Sequence, residues 1–89
     1  MAKRFVVYGR VQGVGFRYFT WKEAEKIGIK GTVRNCTDGS VEIVAEGNDE
    51  QLQRFYYWLK VGPRTATVER VLVDNIEDKR YSDFSIIHR

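Results

Sequence analysis

The sequence has few of the residues that usually serve as metal ligands, nucleophiles or acid–base groups. It contains one cysteine, Cys36, and one histidine, His88, among 89 residues. A single cysteine excludes an internal disulfide and a cysteine-cluster metal site. A single histidine next to the last residue argues against histidine zinc sites and against Ser-His-Asp or Cys-His catalysis. We therefore expect a function that needs no metal, thiolate or imidazole, with Cys36 and His88 both dispensable.

Long hydrophobic runs are also missing. Apolar stretches extend over only a few residues, so no transmembrane helix and no membrane partner are expected. No signal-peptide core follows the first four residues, which predicts a cytoplasmic protein. The composition, 43% hydrophobic and 30% charged, excludes a disordered chain. At this length we expect one domain, residues 1–89, with a small and dense core.

The charge is distributed unevenly along the chain. Residues 1–34 carry eight basic and two acidic residues, 8 − 2 = +6, whereas residues 35–89 carry seven basic and ten acidic, 7 − 10 = −3. The first third is therefore suited to an anion, although charges of this kind, taken alone, more often belong to a solvated surface.

Two helices and five strands are predicted from periodicity and end signals. One helix spans 16–27, with Phe16, Phe19 or Thr20, Ala24 and Ile27 on its apolar face and Gly28 as C-terminal cap. The other begins with a capping box of Asn48 and Gln51 and ends at Gly62-Pro63. The expected strands are 5–8, 31–36, 41–46, 68–73 and 84–87.

The order of these elements is β-α-β-β-α-β with a late extra strand. That order predicts an α+β fold, the ferredoxin-like split βαβ arrangement, with both helices on one face of an antiparallel sheet. The first strand should be central because it is apolar on both faces. The fold hosts many unrelated functions, so the function must be argued from a site.

The most informative segment is residues 9–17, GRVQGVGFR, which joins a strand to a helix N-terminus. Backbone amides and the helix dipole favour anions at such a junction, and three glycines allow close approach to a ligand. The segment fits neither the P-loop nor the Rossmann pattern. The glycines alone would suit an ordinary tight connection equally well.

Two polar side chains are candidates for chemistry. Arg17 stands in the first helical turn, where a cation is unfavourable unless an anion such as phosphate binds there. It could instead be a surface arginine that extends into solvent or pairs with a carboxylate. Asn35 ends the second strand, and its amide could hold one water and one substrate oxygen. It could instead hydrogen-bond its own backbone at the turn.

These residues carry a resemblance to the acylphosphatase family. Residues 9–17 resemble the family's glycine-rich signature loop, which ends in the catalytic arginine, and residues 31–35, GTVRN, resemble its Gly–aromatic–x–x–Asn motif with Thr32 in place of the aromatic residue. The resemblance extends over nearly the whole chain. It implies hydrolysis of a carboxyl–phosphate anhydride, with inorganic phosphate as product and competitive inhibitor.

The resemblance also implies the roles of individual residues. Arg17 would clamp the phosphoryl group, and Asn35 would orient the attacking water. Backbone amides of one continuous segment would cradle the phosphoryl oxygens: Gln12, Gly13, Val14, Gly15, Phe16 and Arg17. A loose phosphoryl-transfer transition state needs positioning and charge stabilisation, which such a site can supply with no metal and no cofactor. We expect the protein to act as a monomer.

Two other functions were compatible with the same fold. The basic first third and the aromatic content could suit an RNA-binding module, but strand 41–46 has no aromatic residue and no RNP1 pattern occurs. A non-catalytic or carbamoyl-phosphate-processing relative is the other possibility. Release of phosphate from an acyl phosphate would distinguish the enzyme from both, and we expect no nucleic-acid partner.

Overall fold

The computed structural model describes residues 1–88 and confirms the predicted order of elements. They are β1 (Ala2–Arg10), α1 (Phe16–Ile27), β2 (Lys30–Asn35), β3 (Val41–Glu46), α2 (Asp49–Val61), β4 (Thr67–Ile76) and β5 (Phe84–Ile87). The first and fourth strands are longer than predicted. In residues 1–88 no helix is long and apolar enough to cross a membrane.

The five strands form one sheet in the order β4-β1-β3-β2-β5, so β1 is an inner strand as expected. The first four strands pair antiparallel. The expectation of a wholly antiparallel sheet is wrong for β5, which pairs parallel to β2. The chain leaves β4 at one edge and adds β5 at the opposite edge, and this non-local step sets the direction of the last strand.

The two helices cover one face of the sheet and enclose the core. Helix α1 packs against β2 and β5, and α2 packs against β1 and β4. The predicted inward residues of β3, Val41, Ile43 and Ala45, are fully buried. On α1 Thr20 is buried with Phe16, Ala24 and Ile27, whereas Phe19 lies at the surface.

Local signals fix the end of α1 and the start of α2 as the sequence predicts. Gly28 adopts a left-handed conformation with φ 96°, and its N–H donates to the carbonyl of Ala24. Asn48 and Gln51 form a reciprocal capping box at the start of α2. These caps satisfy backbone groups that a helix end would otherwise leave unpaired, and they fix where each helix begins or ends.

The end of β1 differs from the prediction in a way that shapes the site. Gly9 and Arg10, expected in the loop, continue the strand past a bulge between Tyr8 and Gly9. A Cβ on Gly9 would lie 2.1 Å from the carbonyl oxygen of Thr67, so only glycine allows β4 to approach here. The connection to α1 is thereby shortened to residues 11–15, which we call the glycine loop.

The solvent-facing side of β3 carries charge where an RNA-binding sheet needs exposed aromatic rings. On β3 the outward positions are Glu42, Val44 and Glu46, which alternate with the buried residues. Glu42 accepts hydrogen bonds from Arg4 on β1 and Arg34 on β2. This face therefore gives no support to the RNA-binding alternative.

Candidate active site

The glycine loop turns the chain sharply from β1 into α1. Gly13 and Gly15 have φ of 74° and 79°, the left-handed region that disfavours other residues. Gly15 directly precedes α1 and offers no side-chain cap. The first backbone amides of α1 have no acceptor within the helix, so this end of the helix presents donors and a positive dipole.

The loop is fixed by hydrogen bonds on both sides. The side-chain amide of Gln12 donates to the carbonyls of Cys36 and Ser40 at 2.7 and 2.8 Å, which ties the loop to the β2–β3 turn. The hydroxyl of Thr65, in the α2–β4 connection, donates to the carbonyl of Val14 at 2.6 Å. A loop held in this way keeps its backbone donors in place before a ligand arrives.

A cleft of about 180 Å³ opens beside the glycine loop. It brings Arg17 and Asn35 together, although they are far apart in sequence. The residues lining it are Val11, Gly13, Gly15, Phe16, Arg17, Tyr18, Asn35, Ile86 and His88. Of the six residues predicted to bind substrate, Gln12 and Val14 do not line the cleft; the Gln12 side chain engages the turn, and Val14 packs against the core.

Arg17 is half-buried in the first turn of α1 and faces β5. Its Nη1 donates to the carbonyl of Ile87 at 3.2 Å. None of the ion pairs formed within residues 1–88 involves Arg17, and the first turn of α1 contains no acidic residue. No carboxylate of residues 1–88 therefore compensates the cation at the positive end of this helix. An anion in the cleft would compensate both charges.

Asn35 presents a free acceptor. Its side-chain Oδ1 is buried and has no hydrogen-bond partner within the described part of the chain. The structural role that an asparagine could have at the turn belongs to Asp38, whose carboxylate accepts from the Ser40 N–H at 2.9 Å and from its hydroxyl at 2.6 Å. These bonds hold the pKa of Asp38 below its ordinary value. A buried polar atom without a partner is unusual in proteins and indicates a ligand or water site.

Sequence reasoning did not place His88 in the site and predicted that it is dispensable. It lines the cleft together with Arg17 and Asn35. The missed signal was the alternation along β5, which could be interpreted only once the pairing of β5 with β2 was known. Cys36 is half-buried and unpaired. In residues 1–88 no three His, Cys, Asp or Glu side chains are grouped so that they could hold a metal ion.

Comparison with known proteins places this geometry in a family. The family model described as Acylphosphatase matches residues 3–86. The chain belongs to the acylphosphatase family. It is 58% identical over 87 residues to an acylphosphatase of Pasteurella multocida (strain Pm70), covering 97% of both chains. It is 44% identical over 90 residues to acylphosphatase of Yersinia pseudotuberculosis serotype I (strain IP32953), covering 97% of this chain and 98% of the relative.

Solved structures show the same fold in acylphosphatases. The crystal structure of acylphosphatase from Bacillus subtilis matches with a TM-score of 0.93 and 42% identity, covering 97% of both chains. A full-length HypF, described in a phosphate- and nucleotide-bound form, matches with a TM-score of 0.87 and 31% identity over 97% of this chain but only 11% of that protein. The acylphosphatase fold therefore occurs both as a chain of this length and as a small part of a longer one.

Proposed function

We propose that this chain hydrolyses the carboxyl–phosphate bond of acyl phosphates at the cleft beside the glycine loop. The reaction is R–CO–O–PO₃²⁻ + H₂O → R–COO⁻ + H₂PO₄⁻. The observation that carries the proposal is the meeting of Arg17 and Asn35 in one cleft. Within residues 1–88 the guanidinium pairs with no carboxylate, and the amide oxygen of Asn35 has no hydrogen-bond partner. Membership of the acylphosphatase family supports the same reaction.

In this proposal, the phosphoryl group lies against the glycine loop and the start of α1. Backbone amides of the segment 12–17 and the guanidinium of Arg17 hold its oxygens. Gly13, Gly15, Phe16 and Arg17 all line the cleft, which supports this placement. Such donors, fixed in advance by the bonds of Gln12 and Thr65, stabilise charge on the phosphoryl oxygens without reorganisation during the reaction.

Asn35 would position the attacking water. Its Oδ1 accepts one hydrogen from the water, which directs a lone pair of the water oxygen at phosphorus. The new P–O bond forms as the bond to the acyl oxygen breaks, and the carboxylate leaves with the electron pair. A carboxylate is a stable leaving group, so it requires no strong general acid. A phosphoryl oxygen of the substrate accepts the proton that the water loses.

The proposal also covers inhibition by inorganic phosphate, the oligomeric state and the compartment of the enzyme. Inorganic phosphate would compete with substrate because it presents the same oxygens to the loop. We also propose that the enzyme acts as a monomer. A lone unpaired cysteine suits a reducing compartment, and we propose the cytoplasm.

The experiment is hydrolysis of benzoyl phosphate by purified protein in the presence of a chelator, comparing wild type with Arg17→Ala. We expect wild-type turnover to survive chelation, and Arg17→Ala to lower kcat/KM on the order of 10²-fold or more. Its affinity for phosphate in a calorimetric titration should fall about tenfold or more, as when a charge-assisted contact is lost.

The matched control is Arg54→Ala, the same substitution at an exposed position of α2 outside the cleft. It should leave both quantities unchanged. A folded Arg17→Ala protein that binds phosphate as wild type does would contradict the proposed clamp. Activity lost to the chelator and restored by Mg²⁺ or Zn²⁺ would contradict the proposed mechanism.

A further inference from the structure

The end of β5 lies directly against the proposed catalytic groups. The carbonyl of Ile87 accepts the hydrogen bond from Arg17, and the next residue is His88. Strand β5 pairs parallel to β2, with Val33 opposite Ile86 and Arg34 opposite Ile87. One further step in this register would set His88 beside Asn35, and both residues line the cleft.

The side chains of these two residues share a face. Residues two apart on a strand point to the same side of a sheet. Asn35 is therefore on the side of Val33, which is fully buried under the helices, and His88 is on the side of Phe84 and Ile86. The lining of the cleft, which includes Asn35, Ile86 and His88, agrees with this alternation.

His88 is the histidine in this lining, and histidine is the side-chain type that ordinarily titrates between pH 5.5 and 8. The other ionisable residues that line the cleft, Arg17 and Tyr18 on α1, belong to types that titrate above this range, and carboxyl groups titrate below it. The neighbouring elements present Asn35 from β2 and glycines and apolar residues from the loop and β5. The guanidinium of Arg89, which follows His88, keeps its charge throughout the range.

We propose that the protonated imidazole of His88 is a second cationic ligand for the phosphoryl group, so that the cleft binds tetrahedral dianions more tightly at mildly acidic pH. The proposal rests on the hydrolytic site proposed above. It adds, beside Arg17, a second cation whose charge depends on pH. Histidine is the side-chain type suited to such a switch near neutral pH. This proposal replaces the expectation that His88 is dispensable.

The test uses sulfate, because it remains a dianion throughout this pH range whereas phosphate does not. The inhibition constant of sulfate is measured against benzoyl phosphate at pH 5.5 and pH 8, at constant ionic strength. For the wild type we expect the constant to rise roughly fivefold between pH 5.5 and pH 8, as for loss of one partly exposed ion pair. Equal constants at the two pH values would overturn the proposal.

Two substitutions separate charge from packing. His88→Gln should bind sulfate weakly at both pH values, with a raised KM at pH 5.5 and little change in kcat. His88→Lys keeps its charge and should bind sulfate tightly at both. Wild-type pH dependence in His88→Gln, or sulfate binding by His88→Lys as weak as that of His88→Gln, would overturn the cationic role.

A third variant, Lys30→Gln, controls for the loss of one positive charge. Lys30 is exposed at the opposite end of β2 from Asn35. Its sulfate constants should follow those of wild type at both pH values, and an equal loss of binding in this variant would refute a local effect of His88. The hydrolytic site itself is tested separately, since wild-type turnover of benzoyl phosphate does not depend on the outcome for His88.

Discussion

At the scale of single residues, Asn35 should separate chemistry from binding and from folding. Asn35→Ala removes a buried oxygen that has no partner within residues 1–88. We expect kcat to fall about 10²–10³-fold, as when a positioning or oxyanion group is lost. Phosphate affinity should be nearly unchanged, and the free energy of unfolding should change by no more than about 1 kcal/mol because no hydrogen bond at Oδ1 is broken. Benzoyl phosphate kinetics, phosphate calorimetry and thermal denaturation measure the three quantities.

Asp38→Ala is the natural comparison, because Asp38 carries the hydrogen bonds of the same turn. It should lower the thermal midpoint while the folded protein keeps most of its kcat. If Asn35→Ala loses stability as Asp38→Ala does, the asparagine is a turn residue. A folded Asn35→Ala enzyme that hydrolyses at the wild-type rate would exclude the proposed water-positioning role.

At the scale of elements, the pairing of β2 with β3 depends on the absence of a side chain at Gly31. Its φ is 146°, and a Cβ there would lie 1.8 Å from the carbonyl oxygen of Val44. Gly31→Ala must push β3 away or bend β2, and we expect about 3 kcal/mol of lost stability, the size of an overpacked core substitution. Chemical denaturation measures this loss. Because β2 carries Asn35, activity should fall as well.

Gly39, in the β2–β3 turn, is the matched control. It also has a positive φ, 94°, but nothing lies within 4 Å of a Cβ built there. Gly39→Ala should therefore cost only the backbone strain, about 1 kcal/mol. Equal losses for the two variants would show that conformation, and not the close approach of Val44, determines the requirement for glycine at Gly31.

The elements found from sequence are those with local signals. Helix α1 has the predicted bounds because its apolar spacing and Gly28 act within a few residues, and the capping box likewise fixes the start of α2. The direction of β5 could not be predicted, since its partner β2 is about fifty residues away in the chain. Arg17 and Asn35 are candidates from the sequence because local motifs contain them. His88 is not, because its position depends on the pairing of β5 with β2.

At the scale of the whole molecule, carboxylates connect parts of the chain that are distant in sequence. Glu46 at the end of β3 accepts from the backbone N–H groups of Lys79, Arg80 and Tyr81, which fixes the segment leading to β5. Burial raises the pKa of Glu46, but these bonds together lower it below its ordinary value. An ionised glutamate at the far end of the sheet therefore helps to hold the segment that leads into β5.

Glu42 should make the stability of the fold sensitive to acid. Burial alone would raise its pKa, but hydrogen bonds and charge from Arg4 and Arg34 lower it below 4.5 overall. A carboxyl with a lowered folded-state pKa stabilises the protein above its unfolded pKa, and this contribution disappears as pH falls through the folded pKa. Glu42→Gln should therefore unfold about 1 kcal/mol more easily than wild type at pH 7, and the difference should shrink as the pH falls through the lowered pKa of Glu42. Urea denaturation between pH 3 and pH 7 measures it, with Glu25→Gln, exposed on α1, as the control that should follow wild type throughout. A Glu42→Gln deficit that persists unchanged at pH 3 would mean that shape, and not the ionised carboxylate bridging three strands, supplies the stability.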